Sequence, residues 1–317
     1  MRRIFIHGTL PPELKASVAA IGVFDGVHRG HQRVIARAVA EALRLKVPSV
    51  VVTFDPHPCA ILRPLKAWPY IMTLEHRLRL IEALGVDVCV VLRFNRRFSS
   101  WLPKTFVTKF LHGWLHTRAV IIGRDFHFGR ARAGTVDFLC AMGKTLGFAV
   151  EQIDILRATG KDIKSTAIKA LITAGDLAGV RRCLHRPFSF LGAIEAGDAR
   201  GRTLGYPTAN FREENVVNLP AGIYLVRASW AGCAHNGLCY IGRRPTFKGK
   251  DAPIVRELHV LDYHGQLYGR EICVEFLKKL RDDKVFADKE TLIAQIARDI
   301  TQARRFFASR GHRDCCI

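Results

Sequence analysis

Short apolar runs alternate with amphipathic stretches through the first half of the chain. The runs cover residues 18–21, 49–54, 87–92, 118–122 and 148–153. Apolar runs without polar alternation are typical of parallel strands that are buried on both faces. The stretches between them carry apolar residues at helical spacing, which predicts helices over residues 31–45, 74–84 and 103–115. This alternation predicts repeated βαβ units in a doubly wound parallel sheet.

The second half of the chain has a different pattern. Arg186 and Pro187 interrupt the helical spacing. Two-residue alternation then covers residues 222–228, 239–242, 255–263 and 271–277. Short alternating strands with frequent turns predict an antiparallel β-barrel, with hairpin turns at His264-Gly265 and Tyr268-Gly269 between the last strands. Apolar residues three or four apart from about Leu292 predict a helix that packs against the barrel.

The length of the chain is sufficient for two domains of these kinds. With 317 residues, of which 49% are hydrophobic, it can bury two cores. We predict an N-terminal doubly wound parallel α/β domain over residues 1–185. A C-terminal antiparallel β-barrel domain, capped by a helix, is predicted over residues 186–317.

Composition also predicts where the protein works. No stretch reaches the ~18 consecutive apolar residues that a membrane span needs. The apolar stretch after the first residues is too short and too interrupted for a signal peptide. The nine cysteines show no C-x-x-C and no metal-ligand spacing, as expected of ordinary thiols in a reducing compartment. These features predict a cytoplasmic protein with no membrane partner.

The charge of the chain raises a nucleic-acid-binding alternative. The net charge is +21, from 49 Lys and Arg against 28 Asp and Glu. The cationic residues are scattered, without a continuous block of like charge and without interleaved aromatic residues. We expect a solvated basic surface that steers anionic ligands, and no specific nucleic-acid partner. A basic RNA-binding protein built on nucleotide-binding folds stays open as an alternative.

The most informative segment is G-V-F-D-G-V-H-R-G-H-Q over residues 22–32. It places glycines and two histidines, His28 and His31, where the first predicted strand passes into a helix. The unpaired amides and positive dipole end of a helix N-terminus attract anions, and glycines let a phosphate approach the backbone. A single histidine there is more often a helix cap or a core residue. Two histidines in H-x-G-H favour a phosphate site.

Two further turns after predicted strands carry polar motifs. They read T-F-D-P-H-P over residues 53–58 and I-G-R-D-F-H-F-G-R-A-R-A-G over residues 122–134. A doubly wound sheet binds its ligand at the carboxyl ends of its strands. We therefore expect the turns after Ile21, Thr53 and Ile122 to converge on one crevice.

Together these segments resemble the prokaryotic bifunctional riboflavin kinase and FMN adenylyltransferase (FAD synthetase) family. Residues 22–32 are similar to its nucleotidyltransferase signature, and G-Y-P-T-A-N over residues 205–210 is similar to the G-F-P-T-A-N signature of its kinase module. The resemblance extends in order from about residue 15 to residue 307. It implies a transferase that phosphorylates riboflavin to FMN in the second domain and adenylylates FMN to FAD in the first. ATP would be the co-substrate and Mg²⁺ the cofactor of both steps.

In the first domain the resemblance implies that His28 and His31 are the catalytic pair that contacts phosphate. Asp125, Phe126 and Phe128 would lie beside the flavin, and core packing is the alternative role for each aromatic residue. The other implied ATP and phosphate contacts are Gly22, Phe24, Asp25, Gly30, Ser165, Thr166 and Lys169.

One segment departs from the family pattern. The family reads I-S-S-T-x-x-R, whereas residues 163–169 read I-K-S-T-A-I-K. Lys164 replaces a serine, and Lys169 replaces an arginine whose planar fork grips a phosphate bidentately. Because H-x-G-H is intact, we expect a working adenylyltransferase. A chain with riboflavin kinase activity alone is the alternative.

In the second domain the resemblance places the glycine-rich loop of residues 197–210 over the ATP phosphates. By composition alone, a plain surface loop is the alternative. Thr208 and Asn210 would hold Mg²⁺, with Asn210 also acting in catalysis. Glu257 would be the base for the 5′-hydroxyl of riboflavin, and its alternative is an outward-facing strand residue. Arg281 would lie beside the flavin. The other implied phosphate contacts are Gly201, Arg202, Thr203, Gly205 and Pro207.

Overall fold

The computed structural model describes residues 1–7, 14–62, 69–154, 156–158, 160–195, 206, 208–211, 216–243 and 254–309. The chain divides into two compact units, Met1–Ser165 and Thr166–Ile317. The domain boundary predicted at residues 185 and 186 stays a prediction, since this division assigns residues 166–184 to the second unit. Among the described residues, no helix is both long and apolar enough to cross a membrane.

The first unit is built on a six-stranded parallel sheet with strand order β1-β4-β3-β2-β5-β6. Its strands are β1 (Arg2–Ile6), β2 (Ser17–Ile21), β3 (Ser49–Asp55), β4 (Val88–Arg93), β5 (Thr117–Gly123) and β6 (Ala149–Ile153). Its helices are α1 (Arg29–Leu45), α2 (Pro58–Leu62), α3 (Leu74–Glu82), α4 (Arg96–Ser99), α5 (Pro103–Thr105) and α6 (Val136–Leu146). Two further short strands, β7 (Arg157–Ala158) and β8 (Lys161–Asp162), pair with each other in antiparallel orientation. The chain order reverses beside β2, as expected of a doubly wound sheet.

The apolar runs form β2 to β6 and confirm the predicted sheet, but β1 was not predicted. It pairs with β4 at the edge of the sheet. Only Ile4 and Ile6 of this strand are buried, whereas Phe5 is 48% exposed. A strand with one buried face and one solvated face carries a shorter apolar signal than the central runs. The edge position therefore explains why the pattern missed it.

Residues 103–115 were expected to form one regular helix, and the structure corrects this expectation. A π-helix over Phe106–His112 follows α5. The N–H groups of Gly113 and Leu115 donate to the carbonyls of Thr108 and Phe110, five residues earlier, at 2.9 Å each. Periodicity in sequence cannot separate this wider turn from an α-helix, because both keep the same apolar face toward the sheet.

The second unit is a closed barrel with strand order β10-β13-β12-β11-β14-β9. Its antiparallel strands are β9 (Phe188–Glu195), β10 (Ala209–Phe211), β11 (Gly222–Trp230), β12 (Cys233–Arg243), β13 (Ile254–Val260) and β14 (Glu271–Asp282). The chain enters it through α7 (Ser165–Ala174) and α8 (Leu177–Leu184). The last helix, α9 (Lys289–Ala308), packs Ile300, Ala303 and Phe307 against Leu225 and Leu238 of the barrel. The predicted helix-capped antiparallel barrel is confirmed.

The hairpin predicted between the last strands is wrong. β13 pairs with β10 and β12, whereas β14 pairs with β9 and β11, so the two strands are not neighbours. The chain turns at residues 261–262 and 268–269, and no turn forms at the predicted 264–265. Turn residues do not determine which strand the chain pairs with next. A tight hairpin instead joins β11 to β12 through Ala231 and Gly232, whose φ angles of 48° and 80° suit a two-residue turn.

Candidate functional site

The two predicted histidines lie at the N-terminus of α1, at the carboxyl edge of the sheet. His28 is the N-cap residue, and its Nδ1 accepts a hydrogen bond from the His31 N–H at 3.3 Å. The two imidazole rings stack with their centroids 3.5 Å apart. A neutral ring that accepts at Nδ1 carries its proton on Nε2, so Nε2 is the donor that His28 can direct at a ligand. The helix-cap role and the phosphate-contact role are therefore compatible in one residue.

The loop before α1 holds a strained backbone. Phe24, Gly26 and Val27 have φ angles of 53°, 86° and 37°. Phe24 and Val27 are non-glycine residues in the left-handed region, where strain is typical of functional loops. Gly30 follows in the first turn of α1, and a Cβ there would lie 3.2 Å from the His28 ring. The glycine lets the imidazole lie flat against the helix start.

Side chains from distant segments anchor this loop. The Oδ1 atom of Asp25 accepts a hydrogen bond from the Ile71 N–H at 2.9 Å. Ser165 donates its hydroxyl to the Asp25 carbonyl oxygen at 2.9 Å. Both residues were predicted to contact phosphate, and the contacts observed here hold the loop. Their roles toward ATP stay predictions.

Sequence reasoning missed one residue of this site, Arg77. It is 2% exposed, and its guanidinium donates to the carbonyl oxygens of Val23 at 2.7 Å and of Phe54 at 3.1 Å. Burial lowers the pKa of Arg77, and the nearby carboxylates of Asp25 and Asp55 oppose this shift. A signal was present in the sequence, since position 77 falls on the apolar stripe of the predicted helix. A cation on such a stripe indicates a buried polar partner.

The three strands that precede the predicted turns are neighbours in the sheet, and a shared crevice at their ends stays a prediction. β3 and β5 flank β2 on either side, so their carboxyl ends lie beside each other. Thr53, near the end of β3, donates its hydroxyl to the carbonyl oxygen of Val23 at 2.9 Å. The first and second turns are thus hydrogen-bonded to each other.

The predicted flavin contacts follow β5. Asp125 is exposed, whereas Phe128 is 8% exposed and belongs to the core. The ring of Phe126 stacks on Phe128 at 5.5 Å, and Phe106 lies 5.5 Å from Phe128 on another side. Core packing therefore accounts for most of the surface of Phe128. The flavin contacts of all three predicted residues stay predictions.

The altered segment lies around the start of α7. The Lys164 ammonium is 3.5 Å from Oδ2 of Asp162, with about half of its side chain exposed. Thr166 is exposed and Lys169 is partly buried, both on the part of α7 that belongs to the second unit. Their contacts with phosphate stay predictions.

In the second unit, three predicted residues come together on the barrel. Asn210 on β10 lies directly opposite Glu257 on β13 in the antiparallel register. The hydroxyl of Thr208 is 3.4 Å from Oε2 of Glu257. Along β13, Arg256, Leu258 and Val260 are buried while Glu257 is partly exposed. Alternation thus directs Glu257 away from the barrel interior, toward Thr208.

The strand beside Glu257 adds a tyrosine that was not predicted. Tyr240 on β12 is paired with Glu257 in the register, and its hydroxyl donates to Oδ2 of Asp283 at 3.1 Å. Burial and the Asp283 carboxylate raise the pKa of Tyr240 above its usual range. On the interior side, the Arg256 guanidinium lies 4.8 Å above the Phe190 ring. Glu257 is therefore bordered by a phenol that stays protonated at neutral pH.

Arg281, the predicted flavin contact of the second unit, is engaged by the terminal helix. Its Nε donates to both carboxylate oxygens of Asp299, at 3.1 and 2.9 Å. Gln295 donates to the same carboxylate at 2.8 Å. Asp299 is buried, so the pair fixes the end of β14 against α9. A contact between Arg281 and flavin stays a prediction.

The remaining loop residues lie outside the described residues. They are Gly201, Arg202, Thr203, Gly205 and Pro207. Across the described part of the chain, no group of three or more His, Cys, Asp and Glu side chains is placed to hold a metal ion.

Comparisons with known proteins agree with this two-site arrangement. The FAD synthetase family matches residues 10–167, and the riboflavin kinase family matches residues 184–307. A bifunctional riboflavin kinase/FMN adenylyltransferase from Pseudomonas fluorescens is 38% identical, over 96% of this chain and 97% of its own length. A bifunctional riboflavin kinase/FMN adenylyltransferase from Listeria monocytogenes is 36% identical, over 97% of this chain and 99% of its own length.

A solved structure also matches nearly the whole chain. It is described as a macrolide-efflux protein from Streptococcus pneumoniae and has a TM-score of 0.83 at 26% sequence identity. The match covers 96% of this chain and 99% of that chain. The two family matches follow the order of the two units. The first match includes His28 and His31, and the second includes Thr208, Asn210 and Glu257. The chain therefore belongs to the family of bifunctional riboflavin kinase/FMN adenylyltransferases.

Proposed function

We propose that this chain makes two flavin cofactors in sequence. The barrel phosphorylates riboflavin to FMN, and the parallel-sheet unit adenylylates FMN to FAD. The observation that carries the proposal is the occurrence of two separately built sites in one chain. One is the stacked His28 and His31 pair at a helix N-terminus, and the other is Glu257 beside Thr208 and Asn210.

The first unit is suited to adenylyl transfer. A phosphate oxygen of FMN attacks the α-phosphorus of ATP, and the bond to the bridging oxygen of the β-phosphate breaks, so pyrophosphate leaves. The attacking oxygen is already ionised, so the step needs alignment and charge neutralisation rather than a base. His28 Nε2, His31 and the first amides of α1 supply donors for this purpose.

The second unit is suited to phosphoryl transfer from ATP to an alcohol. Glu257 accepts the proton of the riboflavin 5′-hydroxyl while the hydroxyl oxygen attacks the γ-phosphorus, and ADP leaves. Glu257 is partly exposed on β13, which leaves its side chain accessible to a substrate. Asn210, opposite Glu257 in the register, orients the same cluster.

Mg²⁺ is the proposed cofactor of both reactions. The hydroxyl of Thr208 and the amide oxygen of Asn210 are hard oxygen donors, which Mg²⁺ prefers, and the ion commonly completes its shell with water and substrate phosphates. When bound, Mg²⁺ neutralises negative charge on the phosphates. Because its substrates include ATP, we propose that the enzyme works in the cytoplasm.

A kinase without adenylyltransferase activity is the second candidate function. The observation that favours it is the altered segment, in which Lys164 and Lys169 stand where the family has serine and arginine. Purified protein incubated with FMN, ATP and Mg²⁺ separates the two candidates. FAD and pyrophosphate in equal amounts support the proposed function. Their absence beside normal riboflavin phosphorylation supports the kinase alone.

A further inference from the structure

The carbonyl group of Val23 is held by two side chains from different segments. Thr53 on β3 donates its hydroxyl to this oxygen at 2.9 Å, and Arg77 on α3 donates at 2.7 Å. Arg77 also donates to the Phe54 carbonyl oxygen at 3.1 Å. One buried guanidinium therefore joins the strained loop before α1 to the carboxyl end of β3.

The hydrogen bonds to the Val23 carbonyl lie at the start of the loop that carries His28, so they can affect the position of the whole loop. Val23 immediately precedes Phe24, the first residue of the loop with a positive φ angle. Because a trans peptide is planar, holding the Val23 carbonyl also sets the direction of the Phe24 N–H, which points away from Arg77. The loop then runs directly into His28 and the first amides of α1. A rotation of this peptide would displace these donors together.

Burial makes the contact costly to leave incomplete. A guanidinium removed from water loses stability with each unmade hydrogen bond. The two terminal nitrogens of Arg77 donate to backbone carbonyls, whereas its buried Nε has no hydrogen-bond partner. The nearest carboxylate oxygen across a salt bridge is Oδ1 of Asp55, at 4.0 Å. The side chain thus holds the loop before α1 against the carboxyl end of β3.

We propose that Arg77 is a positioning residue for adenylyl transfer, which orients the loop of residues 22–28 through the Val23 carbonyl. This inference rests on the proposed function of the first unit. Arg77 acts through the backbone, so its loss should lower the rate of the chemical step more than the binding of FMN. Thr53 acts on the same oxygen, and the two residues should therefore not act independently.

The test compares Arg77→Met, Arg77→Lys, Thr53→Val and the double variant Thr53→Val with Arg77→Met. We expect Arg77→Met to lower kcat for FAD formation by ~10- to 100-fold, with KM for FMN changed by less than about threefold, because misplaced reacting groups reduce the rate of the bound complex. Arg77→Lys keeps the charge and one donor group and should recover part of this loss. Thr53→Val should lower kcat by about fivefold, because this variant loses one hydrogen bond to the Val23 carbonyl. The double variant should lose less than the product of the single losses.

Two controls keep a folding defect apart from a positioning defect. Arg79→Met lies on the same helix, where Arg79 is half-exposed and pairs with Glu75, and it should leave kcat unchanged. Riboflavin phosphorylation by the same preparations reports on the second unit of each variant. Assays well below the unfolding midpoint of each variant remove the contribution of unfolded protein.

The outcomes are distinct. A wild-type kcat in Arg77→Met and Arg77→Lys would overturn the positioning role. Equal losses in Arg77→Lys and Arg77→Met, with a matching loss of folded protein, would show that Arg77 serves stability alone and would also overturn it. A wild-type enzyme that makes no FAD would overturn the proposed function itself.

Discussion

The two candidate sites of this chain are built from different parts of their folds. In the first unit, donors come from loops at the carboxyl edge of a parallel sheet, where His28 caps α1 and the backbone is strained. In the second, the cluster comes from facing residues on antiparallel strands, with Asn210 directly across from Glu257. A loop site can present several amides to one phosphate, whereas a strand face presents a single side chain at a set position.

This difference matches the two proposed reactions. An FMN phosphate is already ionised when it attacks ATP, so an array of donors is sufficient. A riboflavin hydroxyl must lose a proton as it attacks, so a carboxylate is required. The contrast predicts that each unit can be disabled by one substitution without affecting the other.

The largest effect is expected from Glu257→Gln. Removing the base should lower riboflavin phosphorylation by ~10²- to 10⁴-fold, while conversion of FMN to FAD stays at the wild-type rate. Both rates are measured on the same preparation by separating the flavins. Glu290→Gln, an exposed change on α9, is the matched control and should affect neither rate. Kinase activity that survives Glu257→Gln would remove Glu257 from the role of base.

A comparable loss of activity in the first unit is expected from His28→Asn. Asparagine is a good N-cap residue, so α1 should keep its stability, whereas the Nε2 donor is lost. FAD formation should fall by ~10²- to 10³-fold, with riboflavin phosphorylation unchanged. His264→Ala, an exposed change in the second unit, serves as control. If the unfolding midpoint and not the rate changes in His28→Asn, the histidine is only a cap.

A smaller effect should follow from Lys169→Arg. The guanidinium offers a second donor to a phosphate oxygen, and one added hydrogen bond of ~1 kcal/mol corresponds to about a fivefold gain in kcat/KM for FAD formation. Steady-state rates at varied FMN and ATP measure it. Lys144→Arg on the exposed face of α6 is the control. A rate that falls in Lys169→Arg would contradict the predicted phosphate contact.

The last prediction concerns the net positive charge of the chain, which does not distinguish the two units. With a net charge of +21, weak RNA binding is expected at low salt. Binding of a short RNA oligonucleotide should weaken by at least about tenfold between ~50 and ~200 mM salt, as counterion release requires. The measurement is fluorescence anisotropy across a salt series. Sequence-selective binding that persists at ~200 mM would favour the RNA-binding alternative instead.

Much of the fold could be predicted from the sequence, because buried parallel strands leave uninterrupted apolar runs. The exceptions include β9 and β10, which no predicted strand covers, and features that depend on partners distant in the chain. β1 carries a weak pattern as an edge strand, and the connection from β13 to β14 crosses to a different part of the barrel. The π-helix over Phe106–His112 keeps a helical pattern in sequence. Local signals could not resolve these three.

The candidate site was predictable to a similar extent. The H-x-G-H turn predicted a phosphate site at His28 and His31 from the residues themselves, and the structure places both at the N-terminus of α1. Alternation predicted only that Glu257 faces outward, and the resemblance to a family supplied its role as a base. Arg77 was missed, although its place on an apolar stripe indicated burial, because the pattern does not show which backbone carbonyl groups it binds. Positioning contacts to the backbone are thus harder to predict than contacts to substrate.

The separation of the two activities between the two units can be measured in one time course with riboflavin, ATP and Mg²⁺. FMN and FAD are resolved at each time point for the wild type, Glu257→Gln and His28→Asn. The account predicts that the wild type accumulates FMN and then FAD, that His28→Asn stops at FMN, and that Glu257→Gln makes FAD only when FMN is supplied. A single substitution that abolishes both riboflavin phosphorylation and the conversion of supplied FMN to FAD, in a folded protein, would contradict two separate sites.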